Sequence, residues 1–313
     1  MDTAPDTPTD LSLRAWWRTL RRTVGEFDAD SLTDWAAALT YYGVLSIFPG
    51  LLLLASVLGM IGQSATQPLI DNLADVAPGP VQQILTDGLR SLDNTASAGV
   101  ALVSLAGALW SASGYVGAFM RASNAIYDVP EGRPIWKTLP IRLAVTVAVG
   151  TMLAASALIV VFTGELADWL GRVLGVGSAA VTVWSVLKWP VLFVLVSAVL
   201  AILYWASPNA RQAGMRWISP GGVVAVVLWI AASVGFAIYA ANFGSYNKTY
   251  GTLGGVVVFL VWLWISNIAI LLGAELDAEL HRARAIATGH SETEEPYVPL
   301  RDTRALDHHD HAH

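Results

Sequence analysis

Six long, nearly uncharged apolar runs restrict this chain more than any other feature. They are Trp35–Gly62, Ser97–Met120, Leu143–Thr163, about Val181–Trp205, Ile218–Asn242 and about Thr252–Ala274. Each is near or above the roughly 20 residues a helix needs to cross the hydrocarbon core. The runs are continuous rather than alternating, so the predicted spans are helices and not barrel strands. The fourth carries Lys188 and Pro190 in its first third. Only 13% of residues are charged, against about 25% in soluble domains. The predicted fold is therefore an all-α polytopic membrane protein with six transmembrane helices.

The basic residues orient the spans. Arg14, Arg18, Arg21 and Arg22 precede the first; Arg121, Arg133, Lys137 and Arg142 separate the second from the third. Arg211 and Arg216 lie between the fourth and fifth, and Arg282, Arg284, Arg301 and Arg304 follow the sixth. The alternate loops hold Arg90, Arg172 and Lys248. Of 18 basic residues, 14 thus fall on one side, which the positive-inside rule assigns to the cytoplasm together with both termini.

Three segments follow. Residues 1–34 form a cytoplasmic N-terminal segment with no signal-peptide pattern, in which Leu13, Trp16, Trp17, Leu20 and Val24 share one helical face and Arg14, Arg18 and Arg21 another. That pattern fits an amphipathic helix lying in the membrane interface, or one packed on the bundle. Residues 35–280 form the six-helix domain. Residues 281–313 are a polar, acidic tail, with disorder expected from about Ala285. Residues 66–95, interrupted by Pro78-Gly79-Pro80, contain two more short amphipathic patterns expected to lie against the outer side.

Polar residues at helical spacing inside a span mark faces turned toward protein or water. In the second span, Gly107, Trp110, Gly114, Gly117, Arg121, Asn124 and Asp128 form one such face. Its small residues admit a neighbouring helix, and its charged end can present a guanidinium and a carboxylate to a ligand. Arg121 lies 22 residues after Gly99, roughly 33 Å along a helix, which places it at the cytoplasmic boundary. The plainer reading is an interfacial anchor with a structural Arg–Asp contact. Tyr42, Ser46 and Pro49 share a face of the first span, and Pro49-Gly50 is expected to kink it. Lys188 reads as an interfacial snorkeller or a residue reaching a cavity, and Asn267 as helix–helix glue or a ligand. The outer turn NFGSYNKTYGTLGG contributes Asn242, Tyr246, Asn247 and Lys248. The last span exits as GAELDAEL, with Glu275, Glu279 and Arg282 one turn apart, expected to form a salt-bridge network with Arg121 or Arg142.

Much chemistry is missing. The chain has no cysteine, P-loop, dinucleotide fingerprint, GxSxG elbow or HExxH. All six histidines lie at or after position 281, and the tail DHHDHAH has no scaffold on which to hold a metal. The net charge of −6 reflects acidic tails, and no basic patch suggests nucleic acid. The expectation is a protein without enzymatic activity, cofactor, metal site or nucleic-acid partner, whose partners are membrane lipids and a lipid or small-molecule substrate.

Four stretches together carry a resemblance: AAALTYYGVLSIFPGLLLL, RASNAIYDVPEGRP, SYNKTYGTLGG and GAELDAEL. In that order and spacing the chain resembles the YihY/BrkB family of bacterial inner-membrane proteins, which also carries an older, misassigned ribonuclease BN label. The match covers roughly residues 25–282. The resemblance implies a six-helix protein of the bacterial cytoplasmic membrane. It supplies no established activity and no catalytic residue. The residues themselves favour a transporter or translocator with a polar path through the bundle; the alternative is a non-catalytic scaffold or envelope-assembly factor. A membrane ribonuclease would need a convergent acid–base or metal set, which the sequence does not offer.

Overall fold

The structure, a computed structural model, describes residues 11–61, 98–161, 178–212, 219–242 and 247–306. The short amphipathic patterns expected within residues 66–95 lie outside them. Seven helices hold the described residues: α1 (Leu13–Ala29), α2 (Leu32–Ile61), α3 (Ala98–Ile126), α4 (Ile135–Val161), α5 (Ser178–Ala206), α6 (Ser219–Asn242) and α7 (Asn247–Ala287). No β-strand is present among the described residues, only one isolated bridge between Ala210 and Leu300.

Four of these helices contain segments long and apolar enough to cross a membrane: Ile135–Val160, Thr182–Ala206, Pro220–Tyr239 and Gly254–Ala287. Helices α2 and α3 fall on the other two predicted runs and are 30 and 29 residues long, with side chains described over part of each. Helix α5 runs unbroken through Lys188 and Pro190. Helix α7 has 41 residues, about 62 Å of helix and twice a hydrocarbon thickness, so it extends well past the apolar run.

Each helix from α2 to α7 packs on the next in sequence, and α7 returns to α2, closing a ring of six. The interior is small and aromatic: Val116, Ala118, Phe119 and Ala122 of α3 face inward, and Phe119 stacks on Tyr204 of α5 at 6.1 Å. Outward positions such as Val186, Val194, Val227 and Val257 are exposed and apolar, which is costly in water and suits lipid. Helices α6 and α7 cross at glycine. A Cβ on Gly221 would collide with the backbone oxygen of Gly273 and the Asp277 carboxyl. Asp277 exploits that approach, its Oδ1 accepting the Gly221 N–H at 2.7 Å and so capping the start of α6.

Helix α1 inverts the usual surface pattern. It starts at Ser12, whose hydroxyl accepts the Ala15 N–H. Thr19 and Thr23 are buried, while Leu13 is 89% and Val24 73% exposed, with Trp17 and Leu20 also outward. Only Trp16 of the predicted apolar face packs on α7, beside Leu276 and Leu280. Helix α1 thus packs on α7 with Thr19 and Thr23 buried and most of its apolar side exposed.

The C-terminal segment departs from expectation. Disorder is predicted from Ala285, yet α7 continues to Ala287 and residues 288–306 fold back along the bundle. Val298 is buried, the Tyr297 ring covers the Arg282 guanidinium at 4.0 Å, and Leu300 bridges to Ala210. Polar composition misleads here because side-chain-to-backbone hydrogen bonds, together with the burial of a few apolar groups such as Val298, anchor the segment.

Candidate functional site

The polar face of α3 meets a different surrounding at almost every turn near its C-terminal end. Gly114 receives the Tyr42 ring, whose nearest atom would lie 2.9 Å from an added Cβ. Gly117 receives the Arg142 guanidinium of α4, and Arg121, one turn further on, is exposed with no hydrogen bond or ion pair among the described residues. The Arg–Asp contact expected between Arg121 and Asp128 does not form. Asn124 and Asp128 then enter two adjoining but different environments.

Asn124 belongs to a saturated polar knot. Its Oδ1 accepts the Asn209 N–H at 2.7 Å and its Nδ2 donates to Glu131 at 3.0 Å. Glu131 is gripped by Arg133 through two hydrogen bonds of 2.7 Å. Burial acts to raise the Glu131 carboxyl, but the bonds and charge of Arg133 outweigh it and hold it below the ordinary range. The buried Arg133 also donates to the carbonyls of Ala206 and Ser207, placing a cation at the C-terminus of α5. Asn209 donates to the carbonyls of Pro130 and Asp302 and accepts the Asp302 N–H. Arg301 donates to Ala210 and Trp205 carbonyls and lies over the Trp205 ring. Lys137 pairs with Asp302 at 2.7 Å. Thus α3, α5 and the C-terminal segment are tied together at one point.

Asp128 instead lines a cavity of about 840 Å³. Its walls come from the α1–α2 junction (Asp30, Ser31, Asp34, Trp35), the α3 end (Asn124, Ala125, Asp128, Pro130) and Glu295 of the C-terminal segment. Four carboxyl groups, from Asp30, Asp34, Asp128 and Glu295, line it beside one indole. Among the described residues, the non-glycine positions with left-handed backbone are Ser31 (φ 52°) and Asp128 (φ 50°), and both line this cavity. Such geometry costs about 1–2 kcal/mol per residue for an L side chain, and outliers of this kind collect at functional sites. Burial raises the Asp128 carboxyl, with Glu295 and Glu26 adding and Arg282 and Arg22 opposing. Burial pushes Asp30 up to about 6; a hydrogen bond with Glu275 works the other way, and Asp128, Glu26 and Glu279 add repulsion. Glu275 is buried, and its Oε2 has no hydrogen-bond partner.

The GAELDAEL network exists with other cations than expected. Glu279 pairs with Arg22 of α1 at 3.0 Å and with Arg282 at 3.5 Å, and Arg22 also holds Glu26 at 2.7 Å. Arg121 and Arg142 take no part, because Arg142 is committed to α3, where its Nε and Nη2 donate to Ser113 Oγ at 3.0 and 2.8 Å.

The remaining predicted residues scatter. Asn267 is buried and hydrogen-bonded to Thr40 (3.1 Å) and Tyr115 (2.8 Å), joining α2, α3 and α7. Ser46 donates back to the Tyr42 carbonyl, and Lys188 stacks on Trp189 at 5.3 Å. Pro49 lies in α2, and Asn242, Asn247 and Lys248 lie in α6 and α7, at positions whose side chains are not described; Tyr246 is outside the described residues. Among the described residues no three His, Asp or Glu groups gather as a metal site. Sequence reasoning missed Asp30, Ser31 and Asn209. The DADS run between two helical patterns is a turn signal that points to the first two; nothing local marks Asn209.

The Virulence factor BrkB family matches residues 23–297. A ribonuclease-like protein of Bacillus subtilis, YfkH, is 29% identical over 251 residues, covering 80% of this chain and 90% of YfkH. A UPF0761 membrane protein of Alkalilimnicola ehrlichii is 30% identical over 280 residues, covering 84% of this chain and 59% of the relative. Another UPF0761 membrane protein, from Rhodospirillum centenum, is 29% identical over 258 residues, covering 80% and 54%. The chain therefore spans little more than half the length of these last two relatives. No solved structure matches it. With a family match across most of its length and membrane proteins as its relatives, the chain belongs to the BrkB family of multi-pass bacterial membrane proteins.

Proposed function

We propose that the protein is a non-enzymatic transporter or translocator of the bacterial inner membrane, admitting a lipid-like or small polar substrate at the Asp128 cavity. In this reading α1 and the C-terminal segment lie on the cytoplasmic side, where positive charge collects. The carrying observation is the cavity itself, with its left-handed residues and four carboxyl groups on one wall system. Those groups suit a substrate that presents an amine or several hydroxyl donors. Proteoliposomes holding the full chain test the reading: labelled amino-headgroup lipid or polyamine is expected to cross faster than in empty vesicles. Asp128→Asn is expected to slow this severalfold at unchanged protein content. Flux equal to that of empty vesicles for both probes defeats the proposal.

One observation favours a second reading, a non-catalytic scaffold. The Thr40–Asn267–Tyr115 line closes the ring's interior with hydrogen bonds rather than leaving polar groups facing a path. A stable envelope partner co-purifying with the chain, together with absent flux, would support it.

A further inference from the structure

We infer that Arg121 and Arg142 form a binding site for a phosphate ester, the headgroup phosphate of a membrane lipid. Trp110, Ser113, Gly117 and Arg121 follow one another down one face of α3 at steps of three and four, so they form a continuous strip. Arg142 comes across from α4 and lies flat on that strip. Its guanidinium atoms would lie 3.1–3.2 Å from a Cβ on Gly117, a space that only glycine leaves. Ser113 fixes it from one end with two hydrogen bonds, and the Trp110 ring stands 5.9 Å from its central carbon.

Arg121 sits one turn beyond Gly117 on the same strip, and residues four apart on a helix face are neighbours, so it follows directly on the position that Arg142 covers. Neither has a carboxylate partner among the described residues. An anchored guanidinium beside a second, free one is an arrangement that an anion completes. The Arg142 donors left over after Ser113 and the whole fork of Arg121 can grip adjacent oxygens of one phosphate.

The surroundings select the source. Arg121 is exposed on the outer surface of the bundle at the level where the α3 apolar run ends, and Trp110 is exposed roughly 16 Å further into that run. An exposed guanidinium at the end of that run meets headgroups, and acyl chains can lie along exposed Trp110, Leu105 and Val147. The site rests on α3 being a membrane span and is independent of transport.

Native mass spectrometry of the full chain in detergent tests it with three probes: dioleoyl-phosphatidylglycerol, dioleoylglycerol with the same tails and no phosphate, and inorganic phosphate. Phosphatidylglycerol is expected to bind, with affinity falling about tenfold for Arg121→Gln and further for Arg121→Gln with Arg142→Gln, as loss of a charge-assisted phosphate contact implies. Dioleoylglycerol is expected to bind weakly and equally to all variants. Arg121 makes no hydrogen bond or ion pair among the described residues, so its variant separates binding from folding. Unchanged phosphatidylglycerol affinity in Arg121→Gln overturns the site. Displacement of the lipid by millimolar inorganic phosphate overturns the lipid assignment in favour of a free anion. A protein that binds lipid as expected but moves no substrate keeps this site and removes the transport reading.

Discussion

The end of α3 places two opposite solutions side by side. At Asn124 and Asn209 each side-chain amide is matched to a backbone or charged partner, and the result is a clamp. A few residues on, at Asp128, the carboxyl has no such partner, the backbone is left-handed, and a cavity opens against Asp30 and Glu295. Saturated polar groups fix geometry; unsaturated ones, held by a rigid neighbour, are free to meet a ligand. The clamp is thus what keeps the cavity's strained wall in place.

The largest effect should come from breaking the clamp. Asn209→Ala strands two part-buried carbonyls and one N–H and is expected to cost about 3 kcal/mol, read by chemical unfolding in detergent. Arg133→Met leaves Glu131 and the end of α5 without their cation and should cost about 2 kcal/mol. The cavity should respond in the opposite sense. Ser31→Gly relieves a left-handed serine and is expected to raise stability by about 1 kcal/mol, while slowing any flux that depends on the wall's shape. If Ser31→Gly destabilises instead, the strain is not there.

Asp30 gives the same contrast a pH signature. Its folded carboxyl titrates near 6, above the usual 3.8, so between those values the folded state holds more protons than the unfolded one. Its contribution to stability therefore falls as pH rises from about 4 through about 6. Asp30→Asn should flatten that part of the unfolding curve, and an unchanged curve would place the titration elsewhere. The smallest effect is Asp128→Asn, expected to move stability by less than about 0.5 kcal/mol, because the carboxyl is not part of the clamp.

Much of this was legible in the sequence. Period and length located the apolar helices and showed that Gly114, Gly117 and Arg121 share a face, because helical spacing is a local property. The apolar face of α1 was equally legible, although its packing through Thr19 and Thr23 was not. What spacing could not reveal was which neighbour each residue would meet. Arg121 was expected to find Asp128 or the carboxylates of α7, but Arg22, distant in sequence, takes Glu279 instead. The C-terminal segment was misread because its attachment rests on backbone carbonyls of residues 205–210, which composition does not display.

The absence of cysteine allows a direct test of the cavity as the functional site. Single cysteines at Ala125, on its wall, and at Ser291, exposed in the C-terminal segment, can be labelled with a bulky maleimide in proteoliposomes that show flux. The account predicts that labelling Ala125→Cys stops substrate movement while labelling Ser291→Cys leaves it unchanged. Full flux through a quantitatively labelled Ala125→Cys protein would contradict it.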